Sequence, residues 1–201
     1  MFQKSFTPRR ILLVFLGILL IAVIGVRFYV GSSSKRSLLP SMGQVPEFSL
    51  VTESRQTFTR DNLIGKVTIA DFIFTTCAGP CPLMSAKMQQ LQDELEAQPK
   101  IQLVSFSVDP EYDTPSVLAE YAKQFGAKQG RWLFLTGSKE TIHLLARKGF
   151  HLAVEEDKDA ILHSAKFILI DEAGIIRGYY DSEDEESMNR LLTDVESVTQ
   201  R

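Results

Sequence analysis

Cysteine, excess positive charge and repetition are all lacking in this chain of 201 residues, apart from two cysteines. Its 22 Lys and Arg against 25 Asp and Glu leave a net charge of −3, so there is no basic footprint for nucleic acid. Two cysteines are too few for a disulfide scaffold. No internal repeat is found, and no low-complexity block beyond one short linker, so a repeat array is excluded. What remains is ordinary globular composition, 44% hydrophobic and 23% charged, apart from one outlying segment at the N-terminus.

Ile11 to Val26 is an unbroken run of apolar residues and glycine; Arg27 interrupts it and Phe28-Tyr29-Val30 extends it. Residues 11–30 make roughly 30 Å of helix, which matches the hydrocarbon core of a bilayer. No A-x-A-like cleavage site follows the run, and no cysteine follows it as a lipoprotein would require. The expectation is an uncleaved single-pass anchor over 11–30, with residues 1–10 as a cytoplasmic tail. Gly31 to Ser37 is small and polar, and residues 31–41 read as a linker. One domain, 42–201, then lies on the extracytoplasmic side and is long enough for a single core.

Within that domain, Pro46–Val51 and Thr57–Thr59 read as a hairpin with the turn at Glu53–Gln56. Asp61–Lys66 reads as a short helical turn ended by Gly65. Val67–Phe74 is a buried central strand, rich in β-branched and aromatic residues. Met84, Met88, Leu91 and Leu95 recur at helical spacing, so both methionines are assigned to core packing. Ile101–Val108 and Arg131–Thr136 are further strands. Helices are expected from Pro115 to about Phe125 and from a Ser138 cap through Lys148. A short extended segment is expected at Phe150–Val154. Lys166–Asp171 and Ile175–Tyr180 flank Glu172-Ala173-Gly174 as a second hairpin, and Asp181–Glu186 opens a last helix whose acidic start suits the helix dipole. Alternating strands and helices predict an α/β fold with a mostly parallel sheet. The element order matches a thioredoxin-like fold with an N-terminal β-hairpin extension.

Both cysteines lie in Phe74-Thr75-Thr76-Cys77-Ala78-Gly79-Pro80-Cys81-Pro82, where a strand gives way to a helix. Thiolate is the reactive and metal-binding form, and a helix N-terminus favours it, so both thiols are expected to be more acidic than free cysteine. Cys-x-x-x-Cys leaves one residue more than the usual redox spacing. It can close a disulfide, and it can chelate a soft ion such as Cu(I) or Zn with both sulfurs. Metal binding and thiol:disulfide exchange, with Cys77 attacking and Cys81 resolving, both remain open at this stage.

A two-thiolate site wants a third ligand. His143 falls within a helix, and His151 has no evident partner. His163 stands just ahead of the second hairpin, in a loop that faces the cysteine turn in a thioredoxin-like sheet. Thioredoxin-type oxidoreductases usually carry proline there; here Glu155–Phe167 has none. That difference favours metal over disulfide exchange, with His163 as the third ligand.

Three blocks carry a resemblance: Phe74–Pro82, Ser107-Val108-Asp109-Pro110-Glu111-Tyr112-Asp113-Thr114-Pro115, and Leu162-His163-Ser164. With the preceding anchor, their order and separation resemble the Sco (SenC-type) copper proteins over residues 42–198. The resemblance implies copper ligation by Cys77, Cys81 and His163. It also implies copper delivery to, or thiol reduction at, the binuclear copper site of cytochrome c oxidase, whose subunit would be the partner. The chain departs from the family where Leu162 replaces a frequent aspartate and where Ala78-Gly79-Pro80 lacks an acidic residue. In the second block, Asp113 or Thr114 is expected to cap the following helix, and Asp109 is expected near the site.

Overall fold

Strand β3, Val67–Ile73, is the axis of the domain. All seven of its residues are buried, which is why it reads as an almost continuous apolar run rather than an alternating one. A computed structural model describes residues 39–152 and 165–199. In chain order these form β1 (Ser49–Thr52), β2 (Thr57–Thr59), a 3₁₀ turn at Arg60–Asn62, β3, α1 (Cys81–Glu94) and β4 (Ile101–Ser107). Then follow α2 (Pro115–Gln124), β5 (Trp132–Thr136), α3 (Lys139–Leu144), β6 (Lys166–Ile170), β7 (Ile176–Asp181) and α4 (Glu185–Thr199). α3 runs on as a π-helical segment, Leu145–Gly149.

The seven strands form one sheet in the order β2-β1-β5-β4-β3-β6-β7. Only the central pairs, β3–β4 and β4–β5, are parallel; β1–β2, β1–β5, β3–β6 and β6–β7 are antiparallel. The expectation of a mostly parallel sheet is therefore corrected. Each of the two hairpins needs only a tight turn, so its strands pair antiparallel, whereas the central strands are joined by helical crossovers. The second turn is built by Asp171, whose carboxylate accepts from the N–H groups of Ala173 (2.9 Å) and Ile175 (3.0 Å) and pairs with Arg177 (2.7 Å). Gly174 takes φ +74° there, a conformation that costs glycine little.

Side chains alternate across β3. Val67, Ile69 and Ile73 face a core shared with Met84, Met88 and Leu91 of α1, Leu118 and Tyr121 of α2, and Leu191 and Val195 of α4. Ala70 and Phe72 face the opposite core, with Ile142 and Leu145 and an aromatic cluster of Phe48, Phe106 and Phe150. The Phe72 and Phe106 rings stack at 4.9 Å. Met84 and Met88 are 1% and 0% exposed, which bears out their assignment to the core. Phe150 begins no strand: it follows the π-helical turn, and of the expected extended segment 150–154 only residues 150–152 are described. Among the described residues no helix is long and apolar enough to cross a membrane; the expected anchor at 11–30 lies outside them.

Candidate thiol and metal site

The site forms where β3 ends. Cys77 N–H closes a turn onto the Phe74 carbonyl (3.2 Å), and Cys81 is the first residue of α1. Pro82 follows within the first turn, where a missing N–H leaves no helical hydrogen bond unmade. Both cysteines are free thiols and both are buried, Cys77 at 8% and Cys81 at 3% exposure. Both side chains belong to the same core cluster. Gly79 N–H points at Cys77 Sγ across 3.4 Å, so the three-residue spacer folds back over the first sulfur.

The expected acidity of Cys81 is overturned. Burial pushes its thiol up to about 12, and the neighbouring Cys77 thiol and the charge of Asp71 act in the same direction. The Phe74 backbone opposes them only in part. A helix N-terminus favours thiolate, but here it opens into an apolar core, and desolvation of the charged form wins.

Asp113 holds the loop in place. It is fully buried, and its carboxylate accepts from Thr75 N–H (3.2 and 3.3 Å), from the Thr75 hydroxyl, and from Ser107 Oγ (2.6 Å). The capping role falls to Thr114, whose Oγ1 accepts from Val117 N–H at 3.4 Å. Asp113 thus ties the start of the cysteine turn to the β4–α2 loop. Asp109 lies in that same loop, its N–H on Ser107 Oγ (3.2 Å) and its carbonyl accepting from Asp113 N–H (2.8 Å). Thr75, Thr76, Tyr112 and Tyr121 line an open groove of about 550 Å³ beside the turn, and Tyr112 stands 56% exposed at its edge.

Beneath the thiols is a residue that the sequence reading passed over. Asp71 is 0% exposed, and neither carboxylate oxygen has a hydrogen-bond partner among the described residues. Burial raises its pKa from 3.8 to about 7, against the opposing influence of Ser105, opposite it on β4. The Ser105 hydroxyl itself accepts from Trp132 Nε1 (3.0 Å). The signal was present in the sequence, since Asp71 is the one charged residue in the run Val67–Phe74.

Cys77 and Cys81 therefore share one core, while His163 lies outside the described residues. Of the other histidines, His143 sits in the last turn of α3 with its pKa lowered by burial and by Lys139 and Arg147. His151 is exposed at φ +49° and lies in no strand. Among the described residues no group of three or more His, Cys, Asp or Glu side chains converges to hold a metal. The two soft sulfurs nonetheless suit a soft ion.

A central parallel core, flanking hairpins and a thiol pair at the strand-to-helix turn define a thioredoxin-like dithiol protein. Within that class the chain belongs to the SCO1/SenC family, which it matches over residues 40–200. It is 33% identical over 160 residues to the SCO1 protein homolog of Bacillus subtilis, covering 78% of this chain and 83% of that one. It superposes on BsSco, a member of the Sco family of cytochrome c oxidase assembly proteins in which a disulfide switch was identified. That match has a TM-score of 0.70 and 30% identity over 83% of this chain and 100% of that one. Copper-bound ScoI of Arabidopsis thaliana matches with a TM-score of 0.65 at 27% identity, over 77% and 99% of the two chains.

Proposed function

We propose that this chain is a copper-binding protein of cytochrome c oxidase assembly, holding copper with Cys77, Cys81 and His163. The observation that carries this reading is the pair of free thiols buried in one core at the β3–α1 turn, in a chain whose relatives include a copper-bound ScoI. Thiolates and imidazole suit Cu(I) and Cu(II). The Asp113 clamp fixes where the loop begins, so the two sulfurs approach a metal with little reorganisation. The disulfide form offers no thiolate, so the dithiol must be reduced before copper enters.

Copper is cargo in this reading. It leaves by ligand exchange to a partner's own thiol or imidazole donors, and that partner is the copper-site subunit of the oxidase. Residues 11–30 anchor the chain, and the domain faces the extracytoplasmic side. The test is an anaerobic Cu(I) titration of the full chain in detergent against a competing chelator. One copper per chain is expected, lost in Cys77→Ser and in Cys81→Ser and weakened in His163→Ala. Tight binding retained by the Cys77→Ser/His163→Ala double variant would refute the ligand set.

A further inference from the structure

Two surfaces outside the thiol turn lie on opposite faces of the sheet. On the face that carries α1 and α4, a groove of about 500 Å³ opens between those helices. Its floor is apolar: Leu91 is buried, and Met188 and Leu192 are half-buried against the same core. Its rim carries Glu94, Glu183 and Glu185, all exposed and none in an ion pair among the described residues. The one cation in the groove, Lys87, gives its ammonium to the Ser182 carbonyl. Glu185 stands in the first turn of α4, where the helix dipole favours an acid. Glu94 has no such reason to be there. It ends α1, where an acid opposes the dipole, and no basic residue in that last turn offsets it. A cation from outside the groove would.

Such cations stand on the other face of the same molecule. α3 and its π-helical extension pack on the core of Phe72 and Phe106 through Ile142, Leu145 and Ala146, and their outer side is basic. Leu144 is 53% exposed there. Arg147 and Lys148, about one turn further on, are exposed and form no ion pair among the described residues. Lys139 and Arg147 both act against protonation of His143, the mark of cations crowded along one ridge. An apolar side chain flanked by free cations complements an apolar floor rimmed by free acids. The sheet separates the two surfaces, so they can meet only between copies.

We propose that the Leu144–Lys148 ridge of one copy of this chain docks into the α1–α4 groove of a second copy. Leu144 meets the floor of Leu91, Met188 and Leu192, and Arg147 and Lys148 face Glu94, Glu183 and Glu185. Two different surfaces are joined, so the contact is heterologous and can repeat from copy to copy. One ridge in one groove belongs with the small, transient interfaces that bury less than about 1,200 Å². Association is therefore expected only at chain concentrations of ~10–100 µM and above. The contact uses neither cysteine, so it stands or falls independently of the copper reading.

The test is sedimentation velocity on the full chain in detergent, up to about 0.5 mM chain and at about 20 mM and about 500 mM salt. Wild type should self-associate at low salt and weaken at least ~10-fold at high salt. Glu94→Lys/Glu185→Lys reverses the groove, and Arg147→Glu/Lys148→Glu reverses the ridge. Each variant alone should stay monomeric, and an equimolar mixture of the two should associate again, because the reversed surfaces complement each other. Leu144→Gln keeps every charge and should still weaken association ~10-fold, which a general attraction between charged molecules would not produce. Urea unfolding at the wild-type midpoint separates lost docking from lost folding, and Glu94→Gln/Glu185→Gln replaces the groove reversal if that one unfolds. Wild type that stays monomeric throughout overturns the proposal, since groove and ridge would then serve different partners. Association that ignores salt and both reversals comes from another part of the chain and overturns it too, as does a mixture that fails to associate or Leu144→Gln that associates like wild type.

Discussion

Replacing Asp71 by asparagine should change how stability depends on pH, and the size of the change follows from burial. The carboxyl has no hydrogen-bond partner for either oxygen among the described residues and is 0% exposed. Its folded-state pKa is about 7, against 3.8 as the ordinary value. Between those two values the folded protein holds a proton that the unfolded chain has already lost. Stability must therefore fall as pH rises through that window and level off above it. At 1.36 kcal/mol for each pKa unit, the loss is about 4 kcal/mol as a ceiling, and roughly 2 kcal/mol remains if the pocket relaxes around the charge. Asparagine cannot ionise, so it carries a pH-independent cost for a buried amide and no such slope. The assay is urea unfolding of the reduced, metal-free full chain with the tryptophan as probe, at about pH 4.5 and about pH 8.5. The stability of Asp71→Asn relative to wild type should rise by ~2–4 kcal/mol between the two. Parallel curves for the two proteins would refute the burial argument.

Asp113→Ala removes the acceptor for Thr75 and Ser107 and should cost ~3 kcal/mol, with faster amide exchange at Thr75. Thr114→Ala removes only a helix cap and should cost ~1 kcal/mol while leaving that exchange unchanged. Equal effects of the two would show that the clamp is merely a cap. Met88→Ala at a 0% exposed core position should cost about 2–5 kcal/mol in thermal unfolding yet leave copper stoichiometry intact. Loss of copper from the folded variant would bring that helix face into the site. Asp171→Ala strands the half-buried Arg177 and should cost roughly 3–5 kcal/mol in urea; an effect below about 1 kcal/mol would show the pair to be solvated.

The strands were legible because burial on both faces selects the residues that mark them. Val67–Ile73 and Ile101–Ser107 are buried throughout, and their apolar runs announce it. Both hairpins were legible from their turn residues, and the thiol pair from its place between strand and helix. The direction of pairing was not, because β1 returns to pair with β5 from far along the chain, and no local pattern encodes that choice. The acidity of Cys81 was misjudged for the same reason. Its helix start is local, whereas the residues that desolvate it come from β3, α2 and α4. Asp113 carries a capping signature in a segment where Thr114 caps instead, and only the fold shows that Asp113 reaches Thr75, 38 residues back. Asp71 was visible as one acid in an apolar run, but only its unpartnered oxygens show that it differs from a tolerated strand residue.

The Asp113 clamp also has a kinetic meaning. The two cysteines are near neighbours in the unfolded chain, whereas the carboxylate that fixes their turn arrives only when β4 has been laid beside β3 through a helical crossover. Parallel pairing of that kind is slow, because the intervening chain must be closed before any contact rewards it. During that interval the thiol pair is exposed and unclamped, open to any oxidant or soft ion it meets. The rate at which β3 and β4 zip together thus sets how long the chain can be trapped in the wrong oxidation state before its pocket exists.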